Sequence, residues 1–386
     1  MSLLVMIASA PVIRLPNGKL RLDSKFVEGM RAHARHWDGP LKSIIWEGAT
    51  SVPFAVELAP QELGFDLVVL GQGADLPSLE EAALVAAPAD LAEVLKIADD
   101  DVPVVFAVEY TIGTRLQIVA LDRGRGPVRK AWSALWNLRM ERRRRQAFRK
   151  SAGLQCNGYP AFEDYAGFNS NPMIYLDGRM RQEMMARDAD LAAKATYSGP
   201  LRIVHSGRLE PMKGAHDLLP IARALMRSGC AFTLDIFGTG SLAEEIRAGV
   251  SEFSGAVRLH DPVDFESELV PWMIRHADIF LSCHRQADPS CTYLESLGCG
   301  VPVVGYANRM WDRLASESRG GWVVPMGDHS ALVSRLAALS QDRADLVDAA
   351  RQGLGFAKAH DFDREFQRRM DHFAQCLAQS HRRTQG

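Results

Sequence analysis

The sequence predicts an α/β protein built from two doubly wound domains, each a parallel sheet with helices on both faces. Residues 201–340 alternate short apolar runs with longer segments of helical periodicity. The apolar runs are LRIVHSG, FTLDIFG, VRLHD, IFLSC, VPVVGY and GGWVVP. The first half shows the same alternation, with candidate strands LLVMIAS, SIIWEG, DLVVLG, VPVVFAVEY, GLQCNG and MIYLD. Such alternation is typical of parallel sheets covered on both faces. A chain of 386 residues exceeds one ordinary core, so we expect two domains.

The domain boundary is expected between Asp177 and Pro200, where the strand MIYLD gives way to a charged helical stretch and then to Ser198-Gly199-Pro200. We therefore assign 1–180 to a first domain, 181–355 to a second domain, and 356–386 to a helical tail that packs back on the first domain. Open parallel sheets bind ligands beyond the carboxyl ends of their strands. Two such domains predict a ligand-binding cleft between them.

The composition excludes several classes of protein. A content of 47% apolar and 24% charged residues is typical of a soluble globular protein, and a net charge of −2 argues against a general nucleic-acid binder. Six cysteines without a C-x-x-C pair favour reduced thiols in a cytoplasm over disulfides or a zinc site. The apolar start MSLLVMIASAP lacks a basic region, which predicts a strand rather than a signal peptide. Because no apolar run approaches the roughly 20 residues of a membrane span, we expect a cytoplasmic protein.

The stretch ADPSCTYLESLGCGVP, residues 287–302, places one carboxylate, Glu295, among small and hydroxyl residues. One interpretation is a capping box, in which Thr292 and Glu295 bond each other's backbone amides at a helix start. The other is a nucleotide site. The amides from Ser290 to Tyr293 would hold a phosphate at the positive end of a helix, and Glu295 would accept hydrogen bonds from ribose hydroxyls.

Two cations follow the strand LRIVHSG in the segment GRLEPMKG, residues 207–214. Arg208 can grip a phosphate through its planar fork, and Lys213 adds a compact charge. An isolated pair of this kind is most often a solvated surface turn. Here both cations lie at the same predicted sheet edge as the helix start near Glu295, which favours a phosphate site.

A glycine loop with the spacing G-x-G-x-x-A, FGTGSLA, follows the next strand and contains Gly238 and Gly240. Asp261 ends the strand after it, about where a dinucleotide fold places its ribose-binding acid. That fingerprint belongs to the first unit of such a domain, whereas a complete unit precedes it here. Either the loop lets a nucleotide or sugar approach the backbone, or it is a purely structural turn.

Taken in order, G-R-L-x-x-x-K-G, F-G-T-G and L-E-S-L-G-C-G-V-P-V-V-G resemble the nucleotide-sugar domain of the retaining glycosyltransferases of family 4, which have the GT-B fold of two Rossmann-like domains. The resemblance implies that Arg208 and Lys213 neutralise the donor diphosphate. It also implies that Glu295, the second Glu of the family's E-x7-E motif, binds the ribose. Ala287 stands where the first Glu is expected, with Asp288 beside it. Either Asp288 takes over the contact to the donor sugar, or the contact is missing.

The first domain resembles the family in outline and is implied to bind the acceptor. Asn17-Gly18-Lys19 follows the first strand, where the family has a Gly-rich loop near the donor phosphates. Glu109 ends the strand VPVVFAVEY, where relatives have a His or an acid near the donor sugar, although an ordinary strand-end carboxylate is the alternative. The expected catalytic residues are Arg208, Lys213 and Glu109, and the expected donor-binding residues are Gly18, Lys19, Gly207, Gly238, Gly240, Asp288, Ser290, Cys291, Thr292, Tyr293 and Glu295.

Residues 123–150 contain eleven basic residues and one acid, with Trp132 and Trp136 one helical turn apart. Such a surface attracts anionic lipid headgroups, and the tryptophans can enter the membrane interface. Nucleic acid could use the same charge. A solvated helix face is the remaining alternative. We expect an anionic membrane surface as the partner and no nucleic acid.

Together with the resemblance, these observations predict a metal-independent glycosyltransferase without a cofactor. The resemblance implies that it is a retaining hexosyltransferase. It would move a sugar from a UDP- or GDP-linked donor to a saccharide acceptor, lipid-linked and at the cytoplasmic membrane face, in surface polysaccharide or glycolipid synthesis. The alternatives are a nucleotide-sugar epimerase or phosphorylase of the same fold, a non-catalytic nucleotide-sugar-binding partner, and a dinucleotide oxidoreductase.

Overall fold

The computed structural model describes residues 2–52, 55–122, 124–287 and 289–384. The chain divides into two compact units. Unit 1 comprises Met1–Ile112, Ala134–Tyr175 and Asp363–Gly386, and unit 2 comprises Gly113–Ser133 and Leu176–Phe362. No helix within the described residues is both long enough and apolar enough to cross a bilayer.

Unit 1 is built on a parallel sheet of seven strands in the order β10-β9-β8-β7-β1-β4-β6. A separate antiparallel sheet consists of β2, β3 and β5. The strands are β1 (Leu4–Ile7), β2 (Val12–Arg14), β3 (Leu20–Asp23), β4 (Leu41–Trp46), β5 (Ala55–Leu58), β6 (Asp66–Leu70), β7 (Leu84–Pro88), β8 (Val104–Val108), β9 (Gly153–Asn157) and β10 (Pro172–Tyr175). The helices before β10 in the sequence are α1 (Ser24–His36), α2 (Ile112–Leu121), α3 (Pro127–Lys150) and α4 (Gly158–Tyr165). All of α2 after Ile112 and the start of α3, up to Ser133, belong to unit 2.

Both faces of the unit 1 sheet are buried, as the alternation of residues in β1 shows. Leu4 and Met6 pack in a cluster with Met370 and Phe373 of the last helix, α13 (Phe362–Thr384). Val5 belongs to a second cluster on the opposite face. Since successive strand residues point to opposite faces, an apolar run in β1 requires cover on both. The predicted doubly wound sheet is therefore confirmed.

Unit 2 contains a parallel sheet of six strands in the order β13-β12-β11-β14-β15-β16. All six coincide with strands predicted from the sequence: β11 (Leu201–Ser206), β12 (Phe232–Phe237), β13 (Val257–His260), β14 (Ile279–Ser282), β15 (Val303–Tyr306) and β16 (Gly321–Val324). The helices are α5 (Asp188–Thr196), α6 (Leu218–Arg227), α7 (Ala243–Gly249), α8 (Val270–His276), α9 (Cys291–Gly298), α10 (Arg309–Ser318), α11 (His329–Gln341) and α12 (Ala344–Ala359). The strand order reverses between β11 and β14, and a doubly wound sheet binds ligands at the carboxyl ends of the strands beside such a reversal.

Candidate functional site

Two loops meet at the carboxyl-terminal edge of the unit 2 sheet, where the strand order reverses. The first loop (residues 207–217) follows β11, and the second loop (residues 283–290) follows β14. The Arg285 amide donates a hydrogen bond of 3.1 Å to the Met212 carbonyl oxygen. Gly214 has a φ of +68°, and a Cβ there would lie 1.9 Å from the Cys283 carbonyl oxygen. The loops are therefore in direct backbone contact, at a distance that only glycine permits.

The two predicted cations both lie on the first loop. Lys213 ends a short 3-10 turn and is 7% exposed, whereas Arg208 is exposed. Burial lowers the pKa of His284 on the second loop, and the charges of Lys213 and Arg208 are further causes. Both cations thus lie on the loop that follows β11, at the carboxyl-terminal edge of the sheet, and their role at a phosphate stays a prediction.

Three buried polar residues at this edge were missed by the sequence interpretation. His205 of β11 and His284 and Gln286 of the second loop are almost fully buried. Among the described residues, none offers a hydrogen-bond partner to His205 Nε2, His284 Nδ1 or either amide atom of Gln286. Buried polar groups are nearly always paired, so orphaned groups beside two cations indicate a place where water or a polar ligand binds.

The two imidazoles are neutral at physiological pH. His205 Nδ1 lies 2.9 Å from the Leu281 carbonyl oxygen, which fixes the tautomer with the proton on Nδ1. Burial, and to a smaller degree the charge of Lys213, lower the pKa of His205 to about 4 against the opposing effect of that hydrogen bond. In this cluster the positive charge therefore comes from Arg208 and Lys213, while the histidines offer neutral donors and acceptors.

Helix α9 begins at Cys291, and this corrects one of the two interpretations of the sequence. Its N-cap is Ser290, with an extended backbone and no side-chain cap hydrogen bond. Thr292 lies inside the first turn, and its hydroxyl is 2.6 Å from that of Ser290. The predicted capping box of Thr292 and Glu295 is therefore wrong, because a cap residue must stand outside the helix. Glu295 lies in the second turn and is half-buried.

The other predicted residues of α9 have structural contacts of their own. The Tyr293 hydroxyl accepts a hydrogen bond of 3.1 Å from Asn308, and its ring stacks on Trp311. The Cys291 thiol donates to the Asp177 carboxylate at 3.4 Å. The side chain of Tyr293 therefore anchors the helix in the core. Asp288, the predicted substitute for the missing Glu, lies outside the described residues.

The glycine loop after β12 packs against the first loop. A Cβ on Gly238 would lie 2.0 Å from the Gly207 carbonyl oxygen, and one on Gly240 would lie 2.6 Å from that of Leu209. The amide and hydroxyl of Ser241 donate to the Glu210 carboxylate at 2.9 and 2.5 Å. This loop-to-loop packing requires glycine at both positions, and their role in donor binding stays a prediction. Gly207 differs, because a Cβ there would meet nothing within 4 Å.

The remaining predicted residues belong to unit 1. Gly18 and Lys19 lie in the turn of the hairpin between β2 and β3, where the Lys19 amide donates to the Asn17 side chain at 3.0 Å. Glu109 is exposed and directly follows β8. These three residues are thus in a different compact unit from Arg208, Lys213 and Glu295, and their roles stay predictions.

Comparisons with known proteins point to the same part of the chain. Residues 200–342, which contain both loops and α9, match the family model of the glycosyl transferases group 1. The chain is 30% identical over 186 residues to WcaL of Escherichia coli K12, assigned as a colanic acid biosynthesis glycosyltransferase, covering 43% of this chain and 42% of WcaL. It is 30% identical over 157 residues to the amylovoran biosynthesis glycosyltransferase AmsK of Erwinia amylovora, covering 38% of each chain. The matches span about two fifths of the length of these relatives.

Solved structures resemble the chain over nearly its whole length. Anabaena HepE in complex with UDP superimposes with a TM-score of 0.64 at 14% identity, covering 98% of this chain and 100% of HepE. Sucrose-phosphate synthase from Thermosynechococcus elongatus gives a TM-score of 0.68 at 14% identity, with the same coverage. At such identities the likeness shows the fold alone. The chain has the fold of the GT-B glycosyltransferases, and its residues 200–342 are similar to the glycosyl transferases group 1.

Proposed function

We propose that the chain is a retaining glycosyltransferase that moves a hexose from a UDP- or GDP-linked donor to a saccharide acceptor in surface polysaccharide or glycolipid synthesis. The observation that carries the proposal is that the loop with Arg208 and Lys213 contacts the loop that leads into α9, at the strand-order reversal of unit 2. The names of WcaL and AmsK support a polysaccharide product. The HepE complexes with UDP and UDP-glucose support a nucleotide-sugar donor. Retention follows from the resemblance to family 4.

In this proposal the two cations hold the donor diphosphate and neutralise the charge that grows on it as it leaves. The helix dipole and amides of α9 add to that stabilisation, and Glu295 holds the ribose. Two side-chain cations can supply this charge without a metal ion. The bond between the sugar and the diphosphate breaks, and the acceptor oxygen bonds the same face of the sugar. The acceptor's proton passes to the departing phosphate.

A non-catalytic nucleotide-sugar-binding protein is the second candidate, and Ala287 favours it. This residue stands in place of the first Glu of the motif, and side chains of α2 form hydrogen bonds with its backbone. The Ala287 amide donates to Gln117 at 3.4 Å, and its carbonyl accepts from Thr114 at 3.2 Å. Binding of a nucleotide sugar without turnover against any saccharide would support this candidate. Turnover of the donor without an acceptor would instead support an epimerase.

The proposal is tested by screening UDP- and GDP-linked sugars for thermal stabilisation of the full chain. A ligand present at 100 times its Kd should stabilise the protein by about 2.7 kcal/mol. The sugar found in this way is then supplied with saccharide acceptors, and the anomeric configuration of the product is determined by NMR. Stabilisation by none of these donors would contradict the proposal, and an inverted product would contradict retention.

Glu295→Gln is expected to weaken donor binding about tenfold while the protein stays folded. The amide keeps the shape and one acceptor oxygen, but it loses the charge-assisted hydrogen bonds to the ribose hydroxyls. Binding of the donor is measured by calorimetry, and unfolding is measured by thermal denaturation. Because glutamine keeps the shape of the side chain and one acceptor oxygen, the change should lower the melting temperature little. A mutant with lower stability and unchanged affinity would rule out the ribose contact.

The proposal places the enzyme on the cytoplasmic face of a membrane, with a lipid-linked acceptor. The first half of α3 exposes large apolar side chains: Val128 is 69% exposed, Trp132 70%, Leu135 59% and Trp136 51%. Helical spacing continues this face into the exposed Arg139, Arg142 and Arg143. A face that is apolar at one end and cationic at the other fits the surface of an anionic bilayer. Arg123, part of the predicted basic segment, lies outside the described residues.

A further inference from the structure

One buried carboxylate ties together three segments at the carboxyl-terminal edge of the unit 2 sheet. Asp217, the last residue of the first loop, is 3% exposed. It accepts a hydrogen bond of 2.6 Å from the Arg285 guanidinium on the second loop. Its other oxygen lies 3.0 Å from Nε2 of His329, the first residue of α11. The carboxylate is therefore enclosed by protein partners, and it holds together segments far apart in sequence.

This link acts on the two parts of the structure that are proposed to hold the donor diphosphate. Lys213 stands four residues before Asp217, and Arg285 stands a few residues before the N-terminus of α9. The main chains of the two loops already touch through the Arg285 amide and Gly214. The ion pair adds a charged, directional connection across the same contact. Shifting Asp217 would change the spacing between the Lys213 ammonium and the amides of α9.

Stability alone is a weak reason for such a buried pair. Removing two charges from water costs free energy that their attraction often does not recover, and apolar replacements of buried ion pairs are often neutral or stabilising. A pair that adds little stability can still fix geometry, and misplacement by about 1 Å can cost a binding or catalytic site two orders of magnitude. We propose that Asp217 is a positioning residue that sets the separation of Lys213 and the α9 N-terminus for a nucleoside diphosphate. The inference rests on the proposed function.

The same unit offers a matched control at the opposite edge of its sheet. Asp278 directly precedes β14 and is 5% exposed. It accepts hydrogen bonds of 2.6 Å from Arg202 and 3.1 Å from Arg343. Both carboxylates are thus buried, and each joins three segments. Only Asp217 lies at the edge with the predicted diphosphate site. A difference in nucleotide affinity between the two variants would therefore be due to the position of the carboxylate and not to its burial.

The experiment compares Asp217→Asn and Asp278→Asn in the full chain. Calorimetry with UDP and with GDP measures affinity, and thermal denaturation measures stability. We expect both variants to have a lower melting temperature. Asp217→Asn should bind the preferred diphosphate at least tenfold more weakly, and Asp278→Asn should stay within twofold of the wild-type Kd. Equal affinity in wild type and Asp217→Asn, or equal losses in the two variants, would overturn the inference.

A double variant, Asp217→Leu with Arg285→Met, guards against failure of the single variant to fold. It removes both charges and keeps apolar volume, so folding should survive. Its affinity should fall at least tenfold as well, because the charged link that joins the first loop to Arg285 and His329 is then missing and only the main-chain contact remains. Wild-type affinity in this variant would overturn the inference. If the wild-type chain binds neither UDP nor GDP, the proposed function fails first and the inference falls with it.

Discussion

Replacement of Lys213 by alanine is expected to slow sugar transfer about a hundredfold while the protein stays folded. The ammonium is buried, so its field on the departing diphosphate is screened less than that of a surface charge. Loss of one such group raises the barrier by about 3 kcal/mol, which corresponds to about two orders of magnitude in rate. Steady-state kinetics with the donor identified by screening gives kcat/KM for the variant and the wild type.

Three further variants separate the effect of charge from packing and test other cations. Lys213→Met keeps the apolar stem and should lose nearly as much activity as the alanine variant, because only the charge is removed. Arg208→Ala should have a smaller effect of about tenfold, since its guanidinium is exposed and water screens it. Arg227→Ala removes an exposed cation from the last turn of α6 and should have wild-type kinetics. Wild-type turnover of both Lys213 variants would eliminate the diphosphate site.

The strands of unit 2 and the position of its site were predictable because strands buried on both faces form continuous apolar runs. Residues that follow such runs, as Arg208 follows LRIVHSG, must lie at one edge of the sheet. The antiparallel sheet of β2, β3 and β5 was not predicted, and neither was β7. The β7 strand lies within EEAALVAAP, an alanine-rich segment of low strand propensity, so its pairing with β1 and β8 decides its conformation.

The contacts among the polar residues of the candidate site could not be predicted from the sequence. Asp217 and His329 are 112 residues apart, and only the folded sheet brings them within hydrogen-bond distance. The backbone at Gly207 requires glycine at position 238, and the local pattern of the loop could not show this contact. The capping box of Thr292 failed because α9 begins at Cys291 with Ser290 as its N-cap, two residues before Thr292. Local spacing thus identified the edge of the sheet, whereas only tertiary structure shows which contacts each side chain makes there.

The structure shows which arginines of α3 can be replaced without loss of buried contacts. Arg144 is 1% exposed and donates to the Ala89 carbonyl oxygen at 3.0 Å, and Arg145 pairs with Glu141 at 2.8 Å. Replacing all of Arg142 to Arg145 would therefore remove buried contacts along with surface charge. A variant that changes only the exposed Arg139, Arg142 and Arg143 to Gln isolates the electrostatic effect.

This triple variant is expected to bind vesicles that contain anionic lipid more than a hundredfold more weakly than the wild type. Each basic residue close to an anionic membrane contributes about 1 kcal/mol, so three lost charges correspond to about 3 kcal/mol. Because charge attraction reaches only about 8 Å at physiological ionic strength, added salt should release the wild-type protein. Trp132→Ser with Trp136→Ser should weaken binding at all salt concentrations, since it removes the apolar contact. Sedimentation with vesicles of defined composition measures each effect.

Matched controls decide between membrane binding and the two alternatives for α3. A variant with Arg139→Lys, Arg142→Lys and Arg143→Lys keeps the charge and should bind vesicles as the wild type does. The Gln variant should still transfer sugar to a short soluble acceptor at the wild-type rate. Equal binding to neutral and anionic vesicles would contradict the electrostatic argument. Binding of nucleic acid in preference to anionic vesicles would assign the face to a different partner. If the wild-type chain binds no vesicle, the face is solvated or contacts a protein, and the lipid-linked acceptor loses its physical support.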